Sequence, residues 1–176
     1  MQRFETVFEV EAAPERVWSL LHAPPPPDAP SPRVVEYPGG RMEIWFEGDG
    51  TGKGMVRTCE FRVPRWLGSG GRARSWEVVT DVRVGEYASY RGVGKPLWSQ
   101  ATGWHKLAPM PNGGTRLTFV ETYHVFNPVL RRLFERRVHR FISRDNHELY
   151  LKLLGYLGGV TQVSARSTTD ASAPVT

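Results

Sequence analysis

The chain has 176 residues, with 23 Lys or Arg, 18 Asp or Glu and a formal charge of +5. This length favours one domain with a sizeable core, and the single cysteine, Cys59, excludes an intrachain disulfide. The N-terminus lacks an apolar signal region and no apolar run approaches a membrane span, so we expect a cytoplasmic protein. Since no zinc-finger spacing, RNA-binding signature or basic arm accompanies the positive charge, specific nucleic-acid binding is not expected.

The first elements are a strand and a short helix. Residues 2–11 alternate between apolar and charged side chains, which is typical of a half-buried strand. A helix with one apolar face is predicted next, over PERVWSLLH. It ends at residues 23–32, which contain six prolines and therefore cannot form a helix or a central strand. We interpret this segment as an ordered surface loop or flap.

Strands separated by short turns fill the middle of the chain. Strand-like patterns occur at residues 33–37, 41–47, 54–64, 74–84, 86–92, 98–107 and 115–126. Short turns favour antiparallel neighbours, because parallel neighbours need long crossover connections. The glycine-rich segment GDGTGKG (48–54) is not a phosphate-binding loop, since it lacks Ser or Thr after the lysine and a strand follows it. A hairpin turn explains it better.

One long helix is predicted from Asn127 to Leu157. Asn127 can cap it, Pro128 suits its first position, and the glycines from Gly155 onward can end it. Placing residues 100° apart puts Leu133 within the apolar stripe and a carboxylate, Asp145, near its centre. The opposite face carries His139 and the arginines Arg132, Arg136 and Arg140, with Arg144 at its edge. Asp145 can be a local salt-bridge partner or a polar group presented to a cavity.

The order of elements predicts an α+β domain over residues 1–159. A curved antiparallel sheet would wrap the long C-terminal helix, and a short helix would follow the first strand. Residues 160–176 are small, polar and aperiodic, which favours a disordered tail.

The chain resembles the START-like superfamily of helix-grip proteins, also called SRPBCC or polyketide-cyclase/dehydrase-like. Three pieces carry the resemblance: FEVEAAPERVWSLL, the hairpin GWHKLAP…NGGTRLTFVETYHV, and the helix from Asn127. It covers roughly residues 2–157 and implies about seven strands around the last helix, with an apolar cavity between them. Relatives usually place a second short helix where this chain has its prolines, so the resemblance does not predict the shape of one cavity entrance.

Strand alternation selects the residues that face such a cavity. In residues 115–126 the more apolar set contains Phe119, Glu121 and Tyr123, so Glu121 points inward. Pairing the preceding strand with this one makes His105 a diagonal neighbour of Glu121, and the same reasoning turns Arg57 inward. The candidate cavity residues are Arg57, Trp76, Tyr90, Trp98, His105, Phe119, Glu121, Tyr123, Phe141, Asp145 and Leu149.

Each candidate also has a structural explanation. Arg57 and Glu121 can form a cross-sheet ion pair, since buried charges need partners, while His105 can be a hydrogen-bonded core histidine. For Asp145, Arg57 is the first candidate partner and His105 the second. Cys59 is better explained as a buried apolar group than as a nucleophile. The histidines show no paired ligand spacing, so we predict neither a metal nor a cofactor.

Three functions are compatible with these features. The leading hypothesis is binding of a hydrophobic small molecule, a lipid, polyketide or aromatic compound, between the sheet and the C-terminal helix. The alternative is a polyketide aromatase/cyclase-like enzyme, in which Arg57, His105, Glu121 and Tyr123 orient a poly-ketone and move protons. The third is a protein-interaction module that uses the arginine-rich outer face of the helix. The sequence is also compatible with a homodimer. It assigns no catalytic residue.

Overall fold

The computed structural model describes residues 1–22, 26, 28, 31–47 and 52–169. Its strands are β1 (Gln2–Val10), β2 (Arg33–Tyr37), β3 (Gly40–Glu47), β4 (Val56–Arg62), β5 (Arg72–Arg83), β6 (Tyr87–Lys95), β7 (Ser99–Pro109), β8 (Thr115–Val125) and β9 (Val160–Thr169). They form one sheet of nine strands in the order β2-β3-β4-β5-β6-β7-β8-β1-β9. Every neighbouring pair is antiparallel, as the short turns predict.

The helices begin with α1 (Pro14–His22), and a single 3-10 turn follows at Arg65–Leu67. The C-terminal helix consists of α2 (Pro128–Leu130), a π-helical segment (Arg131–Glu135) and α3 (Arg136–Gly155) in unbroken succession. The cap is confirmed, because the side chain of Asn127 accepts hydrogen bonds from the backbone of Val129 and Leu130, at 2.9 and 3.1 Å. In the described part of the chain, no helix has the length and apolar character needed to cross a membrane.

The predicted fold class is confirmed: an antiparallel sheet packs against a long C-terminal helix. The strand count is higher than the expected seven, partly because residues Val160–Thr169 form β9 rather than a disordered tail. The Gly158-Gly159 turn redirects the chain so that β9 pairs with β1 along its whole length. A strand that adds to a free sheet edge gains backbone hydrogen bonds, so β9 needs few apolar side chains. Residues 170–176 lie outside the described residues.

The π-helical segment changes which side chains of the C-terminal helix face the sheet. Leu133, expected inside, is 57% exposed, whereas His139, expected outside, is buried. A π-helix has more residues per turn than an α-helix, so counting 100° per residue misplaces side chains near it. The exposure of the arginines was predicted correctly, and Arg132, Arg136, Arg140 and Arg144 are all exposed.

We expect replacement of these four arginines by Gln to lower the free energy of unfolding by less than about 1 kcal/mol in total, because exposed charges contribute little to stability. Urea unfolding measures this difference. A loss several times larger would show that the outer face of the helix is held by pairing rather than solvated.

The described residues form four apolar clusters, and two of them pack the ends of the C-terminal helix against the sheet. One surrounds Phe8, Leu117 and Leu154, where α1 and the end of α3 meet β1 and β8. The other, which we call the distal cluster, has Leu97, Tyr123, Val125 and Val138 as its buried core, with Leu67, Leu130, Phe134 and Ile142 packed against it. These two clusters anchor the two ends of the helix.

Candidate functional site

A cavity of about 170 Å³ lies between the sheet and the C-terminal helix. Much of its wall is apolar and includes Met42, Ile44, Phe61, Ile142 and Leu149. Charged and hydrogen-bonding side chains also line it, and we call seven of them the polar cluster: Arg57, Glu77, Tyr90, His105, Glu121, Asn146 and Tyr150. Apolar walls with a few convergent polar groups are typical of small-molecule sites.

Glu121 is positioned by a row of three residues on adjacent strands. Tyr90 pairs with Gly103, and Gly103 pairs with Glu121. Because Gly103 has no side chain, the Tyr90 ring lies across it and its hydroxyl donates a hydrogen bond of 2.5 Å to Glu121 Oε2. Asn146 Nδ2 donates to Glu121 Oε1 at 3.3 Å. Burial raises the pKa of Glu121 to about 7, and the bond from Tyr90 partly opposes this rise.

Arg57 lies in a parallel row with Glu77 and Gly92. Its guanidinium forms a 3.0 Å ion pair with Glu77 Oε2 and lies over the Tyr90 ring, 5.2 Å from the ring centroid. Burial by itself lowers the pKa of Arg57, but Glu77 together with Cys59, Tyr90 and Tyr150 outweighs it, and the net pKa is raised. The polar cluster therefore contains a permanent cation whose partner is Glu77 and not Glu121, the partner considered from the sequence.

His105 is held as a neutral imidazole. Its Nε2 shares a hydrogen bond with the Tyr150 hydroxyl, and its ring stacks on Phe119 at 5.0 Å. Burial lowers the pKa of His105 well below its usual value, and the nearby His22 and Arg57 lower it further. The predicted diagonal relation to Glu121 agrees with the strand register, but the hydrogen bonds of the two side chains go to different partners. Among the described residues, no group of three His, Cys, Asp or Glu side chains could hold a metal ion.

The expected partners of Asp145 are wrong. Neither Arg57 nor His105 pairs with it; Tyr37 donates a hydrogen bond of 2.6 Å to Asp145 Oδ2. Asp145 faces the turn between β2 and β3, where a Cβ on Gly39 would lie 2.6 Å from Asp145 Oδ1. Burial raises the pKa of Asp145, and the bond from Tyr37 opposes this. The carboxyl lines the cavity and also fixes β2 to the helix.

Not every residue selected from the sequence lies at the cavity. Those that line it are Arg57, Tyr90, His105, Phe119, Glu121, Tyr123, Asp145 and Leu149. Trp76 does not line the cavity, because its neighbours Ser75 and Glu77 take the inward positions of β5. The Trp76 ring instead lies under Lys95. Trp98 is 59% exposed at the turn before β7. Phe141 does not line the cavity. The next residue of the helix, Ile142, lines it, and the Phe141 ring contacts Arg144.

Three members of the polar cluster were not selected from the sequence. Glu77 was missed because Trp76 made the other face of its strand look more apolar. Asn146 and Tyr150 lie one residue beyond Asp145 and Leu149 on the helix. Asn146 and Tyr150 are four residues apart and therefore share a helix face. Widening the predicted inward face of the helix by one residue would have included both.

We expect Gly103→Ala to lower the free energy of unfolding by about 2 kcal/mol, because overfilling a packed site forces neighbours to move. The new Cβ would lie 2.5 Å from the Tyr90 hydroxyl, so Tyr90 would lose its bond to Glu121. Gly94→Ala is the matched control, since its Cβ would meet no atom closer than 3.5 Å. Equal stability of the two variants in urea would contradict the close packing of Tyr90 over Gly103.

Comparison with known proteins places these features in a family context. The model of a family described as polyketide cyclase/dehydrase and lipid transport matches residues 1–151. A conserved protein from Geobacillus kaustophilus has a solved structure with a TM-score of 0.65 and 16% identity, and the match covers 95% of this chain and 99% of that one. No curated protein matches the chain.

Two further solved structures share the fold. Ara h 8.0201 matches with a TM-score of 0.61 and 15% identity, over 88% of this chain and 96% of that one. The di-domain aromatase/cyclase StfQ of the steffimycin biosynthetic pathway matches with a TM-score of 0.63 and 17% identity, over 88% of this chain and 50% of StfQ. At these identities the likeness establishes the fold alone.

Proposed function

Because the chain belongs to the polyketide cyclase/dehydrase and lipid transport family, we propose that it binds a small hydrophobic molecule between the sheet and the C-terminal helix. One observation carries the proposal: an apolar cavity with the polar cluster on its wall. The apolar walls favour a ligand with hydrophobic surface. The polar cluster favours a ligand that also carries a hydroxyl or carbonyl group, since such a group can exchange hydrogen bonds with it.

The size of the cavity supports a ring-sized ligand. Its volume of about 170 Å³ is close to that of an engineered cavity of about 150 Å³ that binds benzene. It lies below the range of about 300–1,000 Å³ that is usual for drug-sized ligands. One or two fused aromatic rings are therefore a better match for this conformation than a long acyl chain or a four-ring polyketide.

Unpaired polar atoms support a ligand with a polar group. Among the described residues, Arg57 Nε and His105 Nδ1 are buried without a hydrogen-bond partner. Buried polar groups in native proteins are nearly always satisfied by protein, water or ligand. Water or the oxygen of a phenol or ketone, with small side-chain movements, would satisfy them.

The experiment is a melting series with 2-naphthol and with naphthalene as probes. At about 100 times its dissociation constant, a ligand stabilises the fold by about 2.7 kcal/mol, which is visible in a melt. We expect 2-naphthol to bind about fivefold more tightly than naphthalene, because one hydrogen bond contributes about 1 kcal/mol.

Two neighbouring substitutions provide the test of location. Ile142→Trp should abolish the stabilisation, because Ile142 lines the cavity and Trp would fill it. Phe141→Trp is the matched control, since Phe141 does not line the cavity, and it should keep the stabilisation. No stabilisation of the unmodified protein by either probe, or equal loss in both variants, would contradict the proposal.

A polyketide aromatase/cyclase-like activity is the second candidate, and Glu121 is the observation that favours it. A carboxyl with a pKa of about 7 is suited to remove a proton beside a carbonyl at neutral pH. The hydroxyl of Tyr90 donates a hydrogen bond of 2.5 Å to Glu121. After Glu121 takes the proton, its own O–H can donate to Tyr90, and the Tyr90 O–H is then free to donate to the enolate oxygen.

The activity can be tested by hydrogen–deuterium exchange at the central carbon of acetylacetone, which requires enolisation. The enzyme hypothesis predicts exchange above the buffer rate, and its loss in Glu121→Gln. If 2-naphthol binds but exchange is not accelerated, the binding function stands without the enzyme function.

A further inference from the structure

One end of the molecule exposes a group of large apolar side chains. The exposed residues Trp66, Trp98, Phe126, Val129 and Leu133 come from the 3-10 turn, the β6–β7 turn and the start of the C-terminal helix. We call them the apolar tip. In the described part of the chain, these five include every exposed Trp, Phe and Leu side chain. Such a concentration differs from the scattered single residues that are normal on protein surfaces.

The residues of the apolar tip also lie close together in the structure. Each directly precedes or follows a member of the distal cluster in the sequence. The Trp66 ring packs 5.7 Å from the Phe134 ring, and the Phe126 backbone N–H donates to the Trp98 carbonyl at 3.1 Å. The tip therefore forms one surface, and the distal-cluster residues Leu67 and Leu97 beneath it line the cavity.

Basic side chains surround this surface. Arg65 precedes Trp66 and is exposed, and Arg132 and Arg136 are exposed within one helical turn of Leu133. Arg131 donates hydrogen bonds to the Val125 and Phe126 carbonyls, which holds its charge beside the tip.

Glu135, the acidic residue of the same helical segment, does not offset these charges at the surface. It is buried, and its carboxylate accepts the Val125 backbone N–H at 2.8 Å. The tip therefore combines exposed apolar groups with cations.

We propose that the apolar tip docks on the surface of an anionic lipid membrane. Trp side chains favour the membrane–water interface, where their rings sit at the headgroup level. Arginines beside them are attracted to anionic headgroups, at about 1 kcal/mol per residue. The apolar groups come from two turns and a helix start, so they project separately and are suited to a soft, flat surface rather than to a groove-binding peptide.

This placement would put one end of the ligand cavity against the membrane. A hydrophobic ligand could then pass between the lipid phase and the cavity without crossing bulk water. The docking itself does not require the proposed ligand-binding function, because it rests on the outer surface of the distal cluster. Ile44→Trp, a cavity-filling variant outside the distal cluster, should therefore bind membranes as the unmodified protein does.

The test is co-sedimentation with vesicles of phosphatidylcholine alone and of phosphatidylcholine with about 30% phosphatidylserine. We expect binding to the anionic vesicles, weak binding to the neutral ones, and weakening by about 0.5 M NaCl, which screens exposed charges. Arg132→Gln/Arg136→Gln should lower the affinity about 30-fold.

A second pair of variants tests the apolar groups. Trp98→Asn/Leu133→Gln should lower the affinity by more than about tenfold. Asn is chosen because Trp98 has a φ of 48°, a left-handed conformation that Asn tolerates. The matched control is Val84→Gln/Tyr156→Gln, which removes two exposed apolar side chains, 76% and 63% exposed, from outside the tip.

Retained binding by the control pair and loss by the tip pair would support membrane docking. No sedimentation with anionic vesicles, or equal losses for the two pairs, would overturn it. Absent vesicle binding combined with tip-dependent capture of an acidic protein would assign the surface to a protein partner and would also overturn it.

Discussion

Replacing Arg57 by Met is expected to lower the free energy of unfolding by about 3 kcal/mol, because removing one partner of a buried ion pair leaves the other charge unpaired. The remaining charge would be Glu77, whose side chain is 19% exposed. The double variant Arg57→Met/Glu77→Leu should recover most of this loss, since replacing both charges by apolar groups is often nearly neutral. Urea unfolding of the two single variants and the double variant measures the coupling.

A second double-mutant cycle, with Arg57→Met and Asp145→Asn, tests whether Arg57 pairs with Asp145, as expected from the sequence, or with Glu77, as observed. Asp145 bonds to Tyr37 rather than to Arg57, so the effects of Arg57→Met and Asp145→Asn should add to within about 0.5 kcal/mol. Strong coupling between Arg57 and Asp145, or additivity between Arg57 and Glu77, would contradict the arrangement of the polar cluster.

The second large effect concerns the pH dependence of stability through Glu121. Its pKa is raised from 4.5 to about 7 by burial. Below the unfolded value the carboxyl is protonated in both states, and its contribution to stability is fully present. As the pH rises through the folded value this contribution is lost. At about 1.36 kcal/mol per pKa unit, the loss amounts to about 3 kcal/mol.

Glu121→Gln cannot ionise, so its stability relative to the unmodified protein should increase by this amount between acid and neutral pH. His22 and His105 have lowered pKa values, so both proteins lose stability at acid pH. This loss is the same in the two proteins and cancels when their free energies of unfolding are subtracted. Glu36→Gln is the control, because Glu36 is exposed, and its difference from the unmodified protein should stay flat. A flat difference for Glu121→Gln would show that its carboxyl is ionised in the fold at neutral pH.

The fold could be predicted from the sequence because its strands alternate clearly and its last helix carries a strong cap. The inward side of β8 was predictable for the same reason: Phe119, Glu121 and Tyr123 lie on the more apolar face of that strand. The strand β9 could not be predicted from side-chain pattern, since it is held by backbone pairing with β1 rather than by an apolar face.

The partners within the site were not predictable in the same way. Tyr90 reaches Glu121 only because Gly103 leaves space between them, and Glu77 lies across Gly92 in the adjacent row. Such contacts span three strands, so they depend on two registers at once and on the small residue in the middle. Trp76 was misplaced because hydrophobicity on β5 favoured the face opposite to the one that lines the cavity.

Nuclear Overhauser effects between bound 2-naphthol and methyl groups of the protein would locate the ligand relative to the cavity. We expect contacts from the ring protons to the methyls of Ile142, Leu149 and Leu97, all of which line the cavity. Contacts to Val129 and Leu133, which are 63% and 57% exposed, would instead place the ligand on the apolar tip. That result, or saturable binding with no contact to the cavity methyls, would rule out the cavity as the ligand site.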